Sequence, residues 1–213
     1  MNLRRVTGLR VTGLRVSGLA CARAGQPVLE NVGFALEPGQ MLLLRGPNGV
    51  GKTTLLRCLA GLQPLTAGRI DATPDTGAYA SHADGVKAVL SVAENLAFWA
   101  AVHGRAVPEP VYADFGLGAL RHRLAGTLSA GQKRRVGLAR LGVIGRPVWY
   151  LDEPTTSLDD ASVRLFAQVL QAHCAAGGIA VIATHLDPGL PARVLDLRQF
   201  RPLPSTPSQQ AYL

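Results

Sequence analysis

Nine consecutive residues of this chain combine the residue types that bind a phosphate group. Their glycines let the backbone curl and turn its N–H groups inward, and the helix that begins there adds its positive dipole end. Lys52 is spaced to contact the β- and γ-phosphates of a nucleotide, and the Thr53 hydroxyl is spaced to ligate Mg²⁺. The residues of this phosphate loop are Gly46, Pro47, Asn48, Gly49, Val50, Gly51, Lys52, Thr53 and Thr54.

The flanking sequence supports this interpretation. An apolar run at 41–44 precedes the phosphate loop, and a helical pattern at 52–62 follows it. A nucleotide-binding loop requires this order of strand, loop and helix. An ordinary glycine-rich turn is the alternative, but it does not explain why a lysine and two threonines stand at the start of an otherwise apolar helix. The segment therefore predicts nucleotide binding.

Two acids follow a second apolar strand. Asp152 and Glu153 come directly after the run at 148–151. Because a buried carboxylate without a partner is costly, acids in this position suggest a function. Asp152 can hold Mg²⁺ directly or through water, and Glu153 can polarise the water that attacks a γ-phosphate. The alternative is a turn at the end of the strand with solvated acids.

Two further segments have chemistry that depends on their context. Residues 128–132 open a helix, and the Ser129 hydroxyl with the free N–H groups there forms an anion site. Taken alone, simple capping of the helix by Ser129 explains this segment better.

His185 follows the apolar strand at 179–183, where it can contact a γ-phosphate and orient the attacking water. A single histidine at the end of a strand is more often structural.

The periodicity predicts strands alternating with helices, and hence an α/β fold with a largely parallel sheet. Ser91 and Glu94 form a capping box at the start of one helix. Strands are predicted at 14–21, 41–44, 68–72, 78–81, 148–151, 179–183 and 194–197, with a hairpin-like region at 27–36. Helices are predicted at 52–62, 89–102, 111–120, 130–143 and 161–175.

These elements predict one nucleotide-binding domain at 14–200, into which a helical region is inserted at about 86–145. Before it, a five-residue unit is repeated within residues 6–20, and we expect residues 1–13 to be an irregular duplicated extension. A five-residue period is far shorter than the unit of a solenoid. The segment 201–213 is rich in Pro, Ser and Gln and predicts a flexible tail.

Composition excludes several classes of protein. The formal net charge is +8, but the arginines are scattered and no aromatic residues alternate with them, so nucleic-acid binding is not expected. No apolar run approaches the roughly 18 residues that span a membrane, and no apolar stretch follows the first arginines as in a secretory signal, so a cytoplasmic protein is expected. Cys21, Cys58 and Cys174 fit neither a disulfide framework nor a metal pattern.

Five segments in this chain resemble, in order, the motifs of the nucleotide-binding subunits of ABC transporters. The resemblance covers about residues 14–200. The matching segments are 46–54 as Walker A, 128–132 as the signature, 150–153 as the end of Walker B, 157–159 as the D-loop and 184–185 as the H-loop.

The resemblance implies an ATPase with a P-loop fold, built from a mostly parallel core sheet, an antiparallel β subdomain and a helical insertion. It implies Glu153 and His185 as catalytic residues, and ATP with Mg²⁺ at Lys52, Thr53 and Asp152. Two copies would dimerise head to tail and hold each ATP between them. The residues that would contact the nucleotide of the partner copy are Ser129, Ala130, Gly131, Gln132 and Asp159.

Three positions depart from the family pattern. Ala130 stands where the signature usually has glycine, and we expect this small change to be tolerated. His82 stands in the Q-loop in place of glutamine, and as a poorer Mg²⁺ ligand it is expected to serve coupling to a membrane partner. The aromatic residue that usually stacks on adenine is missing, and the spacing places Arg23 near that position. An Arg23 guanidinium can stack on a base, although a solvated loop arginine is the alternative.

The chain also resembles a narrower group, the small ATP-binding subunits of the haem exporter of bacterial cytochrome c maturation. The segments that carry this resemblance are 82–87, 91–96 and 128–141. It implies that ATP hydrolysis drives haem handling on the cytoplasmic face of the inner membrane. An integral membrane subunit would be the partner, and haem would be bound by partners rather than by this chain. The alternatives are the ATPase subunit of another small exporter and a soluble ABC ATPase without a transport role.

Overall fold

We describe a computed structural model of the chain, in which residues 12–185 and 189–202 are defined. Most of the predicted extension at 1–13 and nearly all of the predicted tail at 201–213 lie outside the described residues. The strands are β1 Leu14–Arg23, β2 Gln26–Leu36, β3 Met41–Arg45, β4 Ala67–Ala72, β5 Gly77–Ala80, β6 Val148–Asp152, β7 Ile179–Ala183 and β8 Arg193–Asp196. The α-helices are α1 Lys52–Leu59, α2 Val92–Val102, α3 Pro110–Asp114, α4 Ala130–Ile144 and α5 Asp160–Ala175. Short 3₁₀ turns lie at Gly118–Leu120, Ala125–Thr127 and Leu197–Phe200.

Five strands form a parallel sheet in the order β5-β6-β7-β3-β8. Helices cover both faces of this sheet, so its three central strands β6, β7 and β3 are mostly buried and apolar rather than alternating. In β3, Leu42 and Leu44 pack on the side of α1, whereas Met41 and Leu43 pack on the side of α4 and α5. The prediction of an α/β fold with a mostly parallel core is confirmed. Because parallel strands end at one edge, β3, β6 and β7 deliver the residues that follow them to the same place.

A second sheet has the antiparallel order β2-β1-β4, which confirms the expected antiparallel β part of the fold. Strands β1 and β2 form a hairpin in which Arg23 pairs with Gln26 across the turn residues Ala24 and Gly25. Both turn residues have positive φ, at 49° and 77°, as the tightest hairpin turns require.

Among the described residues no disulfide is formed, and all three cysteines are free.

The helices confirm the predicted order but differ in length. Helix α1 ends at Leu59 rather than at 62, because Gly61 adopts φ 70° and the N–H of Leu62 bonds back to Arg57 O at 2.8 Å. This is a Schellman ending. The predicted helix at 111–120 is wrong beyond Asp114: Gly116, at φ 60°, interrupts it, and a 3₁₀ turn follows.

Helix α2 begins at Val92 rather than at 89. Ser91 caps it, and the predicted capping box with Glu94 is confirmed. The buried Asn95 side chain also fixes the preceding turn through bonds to the backbone of Lys87. Within the described residues, no helix is long and apolar enough to cross a membrane.

His173 makes the stability of this fold depend on pH. Its ring stacks on Trp149 at 3.7 Å between centroids, and burial lowers its pKa from 6.5 to about 4 even though bonding to Ile179 O acts in the opposite direction. The unfolded chain therefore takes up the proton first, so this contribution is complete above pH 6.5 and is lost as the pH falls to 4. We expect it to be worth on the order of 3 kcal/mol at pH 4.

Urea unfolding of the wild type and of His173→Phe between pH 7.5 and 4 measures this effect. The variant should lose less stability over that range than the wild type does. His122→Phe, at an exposed position, serves as the control and should leave the wild-type pH dependence unchanged. Identical slopes for wild type and His173→Phe would contradict the assignment.

Candidate functional site

The phosphate loop joins the end of β3 to the start of α1 and keeps its lysine partly enclosed. Lys52 is 8% exposed, and its Nζ donates hydrogen bonds to Gly46 O at 2.9 Å and Pro47 O at 3.3 Å. Gly51 adopts φ 113°, and a Cβ at this position would lie 2.6 Å from Val28 in β2. The glycine is thus required both by the backbone conformation and by the close approach of the hairpin.

Thr53 and Asp152 meet beside the loop. The Thr53 hydroxyl donates to Asp152 Oδ2 at 2.8 Å, and the Tyr79 hydroxyl lies 3.4 Å from the same oxygen. Burial, assisted by the Asp152 charge, raises the pKa of Tyr79 to about 12 and keeps it a donor. A hydroxyl and a carboxylate are the hard oxygen ligands that Mg²⁺ takes. No group of three His, Cys, Asp or Glu side chains able to hold a metal ion occurs among the described residues.

Glu153 follows β6 in an unusual backbone conformation. Its φ is 45°, a left-handed value that costs a non-glycine residue of order 1–3 kcal/mol. The N–H of Glu153 bonds to Ala183 O in the neighbouring strand at 2.8 Å. Its Oε1 atom is buried and, within the described part of the chain, accepts no hydrogen bond. A carboxylate in this position is chemically able to act as a base toward a water molecule.

His185 connects this carboxylate to the phosphate loop. Its Nε2 atom lies 3.4 Å from Glu153 Oε1, 3.2 Å from Lys52 Nζ and 3.0 Å from Asn48 Oδ1. Three separate sequence predictions, at the ends of β3, β6 and β7, therefore converge on one spot. The cluster offers a cation for phosphates, oxygen ligands for a metal, a carboxylate base and an imidazole, which is the set of groups that nucleotide hydrolysis uses.

The predicted signature segment caps α4. The Ser129 side chain accepts from Gln132 N, and the Gln132 side chain accepts in return from Ser129 N. Ser129 is exposed, as is Ala130 at the first position of the helix. Capping and an anion site at the exposed helix end are thus compatible.

Asp159 is also a cap. Its carboxylate accepts a hydrogen bond from Ser162 N at 2.8 Å at the start of α5, and the bonds to Ser162 lower its pKa. The role of Asp159 toward a partner copy's nucleotide stays a prediction, and it must be compatible with this capping bond.

Gly131 is required by close packing. A Cβ on Gly131 would lie 2.6 Å from the carbonyl oxygen of Ser157, in the loop before α5. We expect Gly131→Ala to push the start of α4 away from this loop and to lower ATPase activity by at least about tenfold, because misplacement by about 1 Å near a site is costly. Ala130→Gly is the matched control at the neighbouring, exposed position, and it should retain activity. Equal steady-state ATPase rates for the two variants would contradict this account.

Two predicted positions lie at the margins of the cluster. His82 is exposed in the loop that follows β5. Arg23 is exposed at the tip of the β1–β2 hairpin, whose residues Val28 and Leu29 pack on Gly51. The hairpin thus keeps Arg23 on the element that borders the phosphate loop.

Sequence reasoning missed Arg134. This residue is only 4% exposed and donates to the backbone carbonyls of Glu153 and Pro154. A signal was available, since Arg134 lies one and two turns before Leu138 and Leu141, on the buried face of α4. An arginine at a core-facing position needs partners for its donors.

The chain matches a protein-family model described as ABC transporter over residues 29–156. A relative from Rhodobacter capsulatus, named cytochrome c biogenesis ATP-binding export protein CcmA, is 62% identical over 184 residues, which are 86% of this chain and 86% of the relative. The relative of the same name from Paramagnetospirillum magneticum is 46% identical over 200 residues, covering 85% of this chain and 92% of that protein.

Solved structures share the fold. A putative ABC transporter (ATP-binding protein) from Pyrococcus furiosus superposes with a TM-score of 0.79 at 21% identity, covering 89% of this chain and all of that one. The ATP-binding subunit of an ABC transporter superposes with a TM-score of 0.71 at 26% identity, covering 82% of this chain and 80% of that one.

Proposed function

The chain belongs to the ABC transporter family as an ATP-binding ATPase subunit, and we propose that its ATP hydrolysis drives haem export or handling for cytochrome c biogenesis. The observation that carries the proposal is the 62% identity, over 86% of each chain, to a cytochrome c biogenesis ATP-binding export protein. The assembled site supports the same conclusion, because Lys52, the Thr53–Asp152 pair and the Glu153–His185 pair lie together in one cluster. The ATPase subunit of another small exporter and a soluble ABC ATPase are the alternatives.

In this proposal the site residues divide the work of hydrolysis. Lys52 and the backbone N–H groups of the phosphate loop bind the phosphates. Thr53 and Asp152 would hold Mg²⁺, which supplies charge neutralisation at the phosphates when it is bound. Glu153 accepts the proton of the attacking water, and His185 orients that water beside the γ-phosphate. The distance of 3.4 Å between Glu153 Oε1 and His185 Nε2 supports this assignment.

The proposal includes a head-to-tail dimer with two nucleotides between the copies. Residues 129–132 and Asp159 of one copy would complete the site of the other. The exposed start of α4, at Ser129 and Ala130, offers the helix end to which a γ-phosphate of the partner copy would bind.

We place the chain peripherally on the cytoplasmic face of the inner membrane, attached to an integral membrane subunit. Large apolar side chains on the helical part support an attachment surface there. Val89 is 81% exposed, and Phe98, Val102 and Leu124 are exposed as well. Haem itself would be bound by the partners rather than by this chain.

Val89→Asp tests this attachment. It should release the chain from membranes that contain its partner and lower c-type cytochrome production severalfold, while the ATPase rate of the isolated chain stays near that of the wild type. Val194→Asp is the matched control and should remain membrane-bound. Val194 is 61% exposed and lies in β8, at the edge of the sheet away from β5. Membrane retention of Val89→Asp would contradict the proposed surface.

The function is tested in a Rhodobacter capsulatus strain that lacks its own 62% identical relative. Expression of this chain should restore covalent haem in c-type cytochromes, read by haem staining of a denaturing gel. Failure to restore it, with the chain expressed and membrane-bound, would favour another exporter. If the chain stays in the soluble fraction and its ATPase activity is not changed by the membrane subunit, the soluble ATPase would be favoured.

A further inference from the structure

Every N–H donor of the Arg134 guanidinium makes a hydrogen bond within the protein. Nε donates to Pro154 O at 3.0 Å, and Nη2 donates to Glu153 O at 2.8 Å and more weakly to Asp152 O at 3.4 Å. Nη1 donates to Ser81 O at 2.6 Å and to Asp84 Oδ1 at 3.0 Å. An arginine has five such donors, so the buried charge is fully satisfied.

One side of this arrangement holds the segment that contains Glu153. The left-handed backbone of Glu153 is strained, and such strain persists only where the surroundings over-determine it. Three bonds hold the peptide groups on either side of this residue: its N–H donates to Ala183 O at 2.8 Å, and its carbonyl accepts from Arg134 Nη2 at 2.8 Å and from Thr156 N at 3.3 Å. Without Arg134 this carbonyl keeps only the longer bond from Thr156 N, and we expect the segment to relax toward an ordinary conformation.

The other side of the arrangement holds the loop that carries His82, which we call the His82 loop (residues 81–85). The Asp84 carboxylate pairs with Arg134, and the backbone of Asp84 packs on Gly137, where a Cβ would lie 2.8 Å from the Asp84 Cβ. One turn further along α4, Arg140 donates to Tyr79 O at 3.0 Å, and Tyr79 in turn reaches Asp152. A single face of α4 therefore contacts both the His82 loop and the acids of the site.

We propose that Arg134 is a positioning residue for hydrolysis, which holds Glu153 in its active conformation and ties it to the His82 loop. This inference rests on the proposed role of Glu153 as the base. Arg134 itself touches no reacting atom, since its contacts reach Glu153 through the backbone carbonyl. A change in the position of the His82 loop would reach Glu153 through one rigid planar group.

The test compares hydrolysis with nucleotide binding. Arg134→Gln should lower kcat by about 30-fold or more while the Kd for the non-hydrolysable analogue AMP-PNP stays within about threefold, because the phosphate loop is untouched. Arg135→Gln is the matched control: it removes the neighbouring arginine, which donates to Phe115 O and Gly116 O instead, and kcat should stay within about threefold of the wild type. Wild-type kcat in Arg134→Gln would overturn the proposal. So would a loss of AMP-PNP binding as large as the loss of kcat.

A double-mutant cycle distinguishes positioning from general damage. If Arg134 acts through Glu153, adding Arg134→Gln to Glu153→Gln should change the residual rate by less than about threefold, because the carboxylate it positions is already gone. Independent, additive losses would overturn the proposal. Should Arg134→Gln not fold, Arg134→Lys takes its place in the same cycle with the same criterion. Lysine keeps the charge but not the planar fork, so full activity in that variant would also overturn the proposal.

The cycle separates this inference from the proposed function. If Glu153→Gln hydrolyses ATP as fast as the wild type, the proposed role of Glu153 fails, whatever Arg134 does. If Glu153→Gln is slow and Arg134→Gln is normal, only the positioning role fails.

Discussion

Glu153→Gln should bind ATP with near wild-type affinity and hydrolyse it about 10²–10⁴-fold more slowly, which is the range for loss of a general base. The amide keeps the size of the side chain and the backbone bond to Ala183 O, so the site should stay assembled. It cannot take a proton from water. Oε1 of Glu153 lies 3.4 Å from His185 Nε2, so the substitution removes the carboxylate from the point where these two side chains meet.

Two measurements check this result. Steady-state phosphate release gives the rate, and light scattering in the presence of ATP and Mg²⁺ should show the variant accumulating as a dimer, since ATP is bound but not consumed. Glu109→Gln, at an exposed carboxylate in the helical part, is the control and should hydrolyse ATP as the wild type does. Equal rates for Glu153→Gln and the wild type would rule out the role assigned to Glu153.

Lys52→Ala should weaken ATP binding by on the order of 100-fold, because it removes charge-assisted hydrogen bonds to the phosphates from a nearly enclosed position. The lysine now bonds to the Gly46 and Pro47 carbonyls and lies 3.2 Å from His185. These contacts point its ammonium group into the cluster.

Equilibrium binding of a fluorescent ATP analogue measures the effect of Lys52→Ala. Arg57→Ala removes an exposed positive charge from the same helix, so it controls for the overall charge of α1 and should change the Kd by less than about threefold. A Kd for Lys52→Ala equal to that of Arg57→Ala would contradict the placement of the phosphates at Lys52.

The parts of this site that were predictable from the sequence are the local ones. Gly46–Thr54 specifies its loop through residue types at fixed spacing, and the acids after β6 and the histidine after β7 follow from where apolar runs end. Parallel strands then bring these ends together, so the convergence of Lys52, Glu153 and His185 follows from the fold class.

The parts that were not predictable depend on contacts between distant segments or on competition between local signals. Arg134 donates hydrogen bonds to Asp84, 50 positions before it, and to Pro154, 20 positions after it. The spacing of residues in α4 does not predict these partners. Asp159 was assigned only from its motif, whereas its carboxylate also caps α5. The helix predicted through 120 stopped early because Gly116 takes a positive φ, which the apolar periodicity does not reveal.

The most direct test of the central claim is the covalent haem content of c-type cytochromes in the strain lacking its own relative, complemented with either the wild type or Glu153→Gln. We predict that the wild type restores c-type haem and that Glu153→Gln, expressed at the same level, does not, with b-type cytochrome spectra unchanged in both. Full c-type haem with a Glu153→Gln chain shown to be slow in hydrolysis would contradict the claim that ATP hydrolysis by this chain drives cytochrome c biogenesis.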